Sequence, residues 1–140
     1  MIEASMDTRN LATVVLEFID KINGGDVSAL CSLMTEDHVF VDSLGNRVQG
    51  REKLRAGWNG YLSLFPDYRI SHEEIFEDRD TVAVFGTASG TYAVNGKLPK
   101  ENHWEIPAAW KAIVRNGLIA EWRVYCDNQP ARKLLGDTSP

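Results

Sequence analysis

Two hydrophobic periodicities follow one another in this chain, and their order limits its possible folds more than any other sequence feature. Up to Phe65 the apolar side chains recur at helical spacing; from Tyr68 onward they fall in long strand-like runs separated by turn residues. Leu11, Val14, Val15, Phe18, Ile19 and Ile22 share one face of a helix expected over 8–23, which Gly24-Gly25 ends. Asp26 is placed to cap a shorter helix with Val27, Leu30, Leu33 and Met34 as its buried stripe. His38-Val39-Phe40-Val41-Asp42 is β-branched and aromatic and is bounded by Leu44-Gly45-Asn46. It reads as a short strand with Phe40 and Asp42 on one face. A third helix follows over 51–65, ended by Pro66-Asp67, with Leu54, Trp58, Tyr61, Leu62 and Phe65 on its apolar side.

Strands are then expected over 68–76, 81–92, 103–114 and 118–127, broken at Glu77-Asp78-Arg79-Asp80, Asn95-Gly96 and Asn116-Gly117. Gly86, Ala88, Ser89 and Gly90 inside the second of these predict a strong bend. Helices first and consecutive strands afterwards give the α+β class. The expected form is a curved antiparallel sheet wrapped around three N-terminal helices, with a short C-terminal helix begun by Asp127-Asn128-Gln129-Pro130. A chain of 140 residues without repeat or linker is expected to form one domain over 1–140, ordered over about 8–135.

The last hairpin can be given a register. A loop of Arg115-Asn116-Gly117 pairs Val114 with Leu118, Ala112 with Ala120 and Trp110 with Trp122 on one face. Ile113 then pairs with Ile119, Lys111 with Glu121 and Ala109 with Arg123 on the other. A two-residue Asn-Gly turn would instead set Lys111 beside Trp122 and Trp110 beside Arg123, so the longer loop is preferred. It turns both tryptophans toward the helices and leaves Lys111, Glu121, Arg123 and Tyr125 outside.

Charge and cysteine usage exclude other classes. With 15 basic and 20 acidic residues the net charge is −5, and no basic cluster offers the footprint of a nucleic-acid or anionic-membrane surface. No stretch approaches the roughly 20 apolar residues of a membrane span, and residues 1–7 hold no apolar run of an export signal. Cys31 and Cys126 lie far apart without metal-ligand spacing, so they are expected to be reduced thiols in a cytoplasmic protein with no metal site.

The segments Gly24-Gly25-Asp26-Val27-Ser28-Ala29-Leu30, His38-Val39-Phe40-Val41-Asp42-Ser43-Leu44-Gly45 and Gly50-Arg51-Glu52 together resemble the SnoaL-like and ketosteroid isomerase-like members of the nuclear transport factor 2-like superfamily. The element order over 8–135 agrees. This resemblance implies a cystatin-like cone around one apolar pocket. In ketosteroid isomerases the acid matching Asp42 is the general base. The position of their oxyanion-hole tyrosine is Phe18 here, and the stretch of their second aspartate reads Ala109-Trp110-Lys111, so that mechanism is not expected. No Arg-x-Asp of the limonene epoxide hydrolase-like kind lies beside 104–114. Scytalone dehydratase-like members pair an Asp with two His, for which His38, His72 and His103 are available. SnoaL-like cyclases use one pocket Asp within apolar walls, the pattern Asp42 fits.

The expected function is therefore a small-molecule isomerase, cyclase or dehydratase that uses no metal or organic cofactor, with Asp42 as acid and base. His38 and His103 are candidate proton-transfer partners, and Phe18, Phe40, Trp58, Tyr61, Trp110 and Trp122 the candidate pocket for an apolar or aromatic molecule. A non-catalytic binding or dimerisation module of the same fold is the alternative. Each candidate also has a structural reading: Asp42 can hold turn amides, the histidines can be strand-end residues and the tryptophans can be core. The outer sheet face, with Ile113, Ile119, Tyr125 and its charges, is the expected homodimer contact.

Overall fold

A computed structural model of the protein describes residues 10–136. Helix α1 (Leu11–Asn23) starts at Asn10, whose side chain accepts from the Thr13 amide at 2.7 Å. Its buried face is Val14, Val15, Phe18, Ile19 and Ile22. Asp26 caps α2 (Val27–Ser32) as expected, but α2 stops before Met34. Strand β1 (Met34–Val41) takes that residue instead, because the Leu33 carbonyl accepts from the Ile119 amide at 2.7 Å and draws the chain into the sheet. A short strand absent from the sequence reading, β2 (Arg47–Gln49), pairs back on β1. Then follow α3 (Arg51–Leu64), β3 (Arg69–Asp78), β4 (Thr81–Thr91), a 3-10 turn at Lys100–Asn102, β5 (His103–Arg115), β6 (Leu118–Tyr125) and α4 (Gln129–Leu134).

The six strands form one curved, unclosed sheet in the order β2-β1-β6-β5-β4-β3. The meander from β3 to β6 is antiparallel, as its turns predicted. Strand β1 joins β6 in parallel, so the sheet is mixed. Sequence separation hides this contact, since the pairing closes only after β2, α3 and three further strands have been laid down. Curvature is built in where a bulge in β3 between His72 and Glu74 meets Gly86 of β4. A Cβ at Gly86 would lie 1.9 Å from the Ser71 carbonyl oxygen, so this close approach requires glycine.

The final hairpin departs from the expected register. Asn116 (φ 54°) and Gly117 (φ 76°) form a two-residue turn, and Arg115 pairs with Leu118. A bulge on β6 at Ile119-Ala120 then restores the phase: Val114 pairs with Ile119, but Ile113 pairs with Glu121 and Ala112 with Trp122. Both tryptophans still face inward, stacked at 6.4 Å between ring centroids and each 1% exposed. Lys111 and Glu121 meet diagonally, at 2.9 Å, rather than directly opposite. Ile119, expected outside, is fully buried, because the bulge turns it into the core with Met34 and Phe18.

Candidate functional site

Between α3, α4 and the concave face of the sheet lies a cavity of about 390 Å³. Helix α3 contributes Leu54, Gly57, Trp58 and Tyr61 at one-turn intervals, with Phe65 just after its last residue. Alternation along β5 brings Trp104, Ile106 and Trp110 to the same side, and Trp122 of β6 completes that wall. Phe40 and Tyr61 meet Trp58 edge-on at 6.3 and 6.2 Å, and Phe65 meets Trp104 edge-on at 5.4 Å. A second depression, about 490 Å³ around Thr35, Asp37, Arg115 and Leu118, is an open groove beside the β5–β6 turn. The Asp37–Arg115 ion pair crosses its edge at 2.6 Å.

Polar groups enter the cavity wall at few places. Asp42 and Ser43 come from the end of β1, Tyr68 from the approach to β3, Lys53 from α3, and Asn128 with Arg132 from α4. The Asp42 carboxylate is held by its own turn: Oδ1 accepts from the amides of Leu44 and Asn46, both at 2.9 Å, and Oδ2 from the Asn46 side chain at 3.1 Å. A carboxylate has about four lone-pair sites, so one on Oδ2 stays open. Burial pushes the phenols of Tyr61 and Tyr68 above the usual range, so both stay protonated and can donate. The indole N–H of Trp110 approaches the Tyr68 hydroxyl without reaching hydrogen-bond geometry, so it is left with no acceptor, as is that of Trp104. Burial also raises the Cys126 thiol, which opposes thiolate chemistry. Among the described residues no group of three or more His, Cys, Asp or Glu could hold a metal ion.

A sequence model of the SnoaL-like domain matches residues 15–122. The chain belongs to the SnoaL-like family. No curated protein matches it in sequence. Among solved structures it is similar to IdmH, a proposed polyketide cyclase from Streptomyces antibioticus, with a TM-score of 0.74 and 24% identity over 92% of this chain and 100% of that one. It is also similar to AclR, a proposed hydroxylase from Streptomyces galilaeus (TM-score 0.71, 20% identity, 93% and 83% covered). A third is a protein with a ketosteroid isomerase-like fold from Catenulispora acidiphila, solved with trimethylamine (0.75, 18%, 91% and 97%). At these identities the likeness is one of fold.

Within this SnoaL-like fold the predicted site residues separate. Phe40, Asp42, Trp58, Tyr61, Trp110 and Trp122 border the cavity. Phe18 stands behind it, packed on Trp122 at 5.0 Å between centroids. His38 lies inside the core, its Nδ1 hydrogen-bonded at 2.7 Å to the Ile119 carbonyl of the β6 bulge. Asp42 lies four residue steps further along the extended chain, roughly 13 Å away, so the two do not meet. His103 is on the opposite face of β5 from Trp104. Its Nδ1 lies 2.9 Å from the Thr91 hydroxyl, which in turn donates to Asp67 at 2.7 Å. Tyr68, Trp104, Lys53 and Arg132 were missed as wall residues. For Trp104 the alternation with Ile106, Ala108 and Trp110 carried the signal, since β5 runs on through Pro107, which pairs with Thr87 on the outer face.

Proposed function

We propose that the protein is a small-molecule enzyme of the isomerase, cyclase or dehydratase kind, in which Asp42 moves a proton on an apolar or aromatic substrate without a metal or organic cofactor. The observation that carries this reading is a carboxylate with a remaining lone pair, set in the wall of a cavity lined mainly by aromatic and aliphatic side chains. The Asp42 carboxylate takes a proton from carbon next to a substrate carbonyl, the developing enolate oxygen receives a hydrogen bond from a protonated tyrosine hydroxyl, and the proton returns at a second carbon. Tyr61 and Tyr68 supply donors in place of those that Phe18 and the Ala109-Trp110-Lys111 stretch lack.

Asp42→Asn keeps an oxygen for the two turn amides and removes the base, so the fold should stand while turnover with a converted substrate falls by two orders of magnitude or more, as for loss of a general base. Retained turnover in a steady-state assay would remove Asp42 from the mechanism. A binding module is the second reading, favoured by the three turn donors that already hold Asp42. It predicts ligand binding unchanged in Asp42→Asn with no product from either form.

A further inference from the structure

The charged groups of the cavity, Lys53, Arg132 and Asp42, gather at one end of it. From Lys53 to Phe65, α3 and its C-cap rise about 18 Å along the wall. At the Phe65 end the neighbours are Tyr68 and Trp104, 8% and 5% exposed. At the Lys53 end the wall is formed with Val48 of β2, 40% exposed. Strands β1 and β6 run in parallel and finish side by side, with Val41 opposite Arg123, so Asp42 and Ser43 emerge next to the segment that leads into Asn128 and Arg132.

The charge at this mouth runs against that of the chain. The protein carries a net charge of −5, yet the cavity wall holds two cations, Lys53 and Arg132, and one carboxylate, Asp42, already engaged by three donors of its own turn. Lys53 makes no ion pair among the described residues, and the adjacent Glu52 is taken by Arg55 at 3.0 Å and Arg51 at 3.9 Å. Arg132 is oriented by the bond from its Nε to Asn128 Oδ1 at 2.7 Å. Such a mouth suits a ligand whose apolar body lies among the rings and whose negative oxygens stay at the entrance, where guanidinium and ammonium groups form charge-assisted hydrogen bonds.

We infer that the ligand is an amphipathic anion, an aromatic or apolar body bearing a carboxylate or similar oxyanion that Lys53 and Arg132 hold at the mouth. The inference rests on reading the cavity as the ligand site. Its test uses two probes with the same ring body, anilinonaphthalene sulfonate and neutral N-phenylnaphthylamine, titrated into the full-length protein. The anionic probe should bind about tenfold more tightly, the sum expected of two partly exposed charge contacts. That advantage should shrink at high salt and vanish in the double variant Lys53→Met, Arg132→Met, while the neutral probe is unaffected. Equal affinities, or an advantage that survives the double variant, would overturn the inference. Gly57→Phe separates this failure from the other: Gly57 lines the cavity and a Cβ there meets nothing within 4 Å, so the ring fills the space without moving backbone. Loss of both probes in Gly57→Phe locates them in the cavity. Binding of both unchanged by it, or of neither probe to the parent protein, overturns the ligand-site reading and this inference together.

Discussion

His38 illustrates how a titratable side chain can look catalytic in sequence and be structural in the fold. A carbonyl only accepts, so the 2.7 Å contact with Ile119 O places the hydrogen on Nδ1, and Nε2 is buried with no partner. Protonating Nε2 would bury a charge and a donor with nothing to receive it, and burial holds the imidazole below its usual 6.5. The folded state therefore binds fewer protons than the unfolded chain once pH drops toward 6.5. Stability should be fully present above that pH, decline as pH falls through it, and level off below the folded-state value. Urea unfolding across mildly acid pH checks this, and His38→Asn, whose amide nitrogen takes the place of Nδ1 and can still donate to Ile119 O but does not titrate, should flatten the dependence. A parent protein with no such decline would show that the ring is not held neutral. The same bond explains why the β6 bulge is tolerated: the Ile119 amide donates to Leu33 O and its carbonyl receives His38, so neither polar group of the bulged residue is stranded.

At the level of elements, glycines with opposite surroundings predict opposite outcomes. Gly57 and Gly60 lie inside α3, where a Cβ would meet nothing within 4 Å. Glycine in a helix interior costs roughly 0.5–1 kcal/mol against alanine, so Gly60→Ala should raise stability by about that amount in chemical denaturation. Gly86→Ala should lower it by roughly 2–3 kcal/mol, because its Cβ falls 1.9 Å from a backbone oxygen of β3 and one of the two strands must move. A neutral Gly86→Ala would mean that the β3 bulge can slide. The last hairpin makes a related point: Asn-Gly with both residues at positive φ is a strong local signal for a two-residue turn. The alternation of the tryptophans argued for a longer loop, and a bulge reconciled the two.

For the whole molecule, the outer face of the sheet poses the remaining question. Phe76, Phe85 and Tyr125 are 58, 44 and 47% exposed there, the two phenylalanines in edge contact at 6.1 Å. Arg123 lies 4.8 Å over the Tyr125 ring beside the Lys111–Glu121 pair. An apolar centre with charges around it suits a symmetric contact, and we expect a homodimer through this face. Sedimentation should give a dimer for the parent chain and a monomer for Phe85→Glu; a monomeric parent would discard the contact. No helix among the described residues is long and apolar enough to cross a membrane. Apart from the short β2, the order of elements, the α+β class and the inward tryptophans of β5 and β6 were legible in the sequence, because periodicity reports which side of each element is buried. Asp42, just past the end of β1, was also expected in the wall, from the face it shares with Phe40 and from its match to the general base of the ketosteroid isomerases it resembles. The parallel join of β1 to β6, the burial of His38 and the gathering of Tyr68, Lys53 and Arg132 around one cavity were decided only by the tertiary structure. These depend on contacts between residues far apart along the chain, and such contacts leave no periodic trace in any one segment.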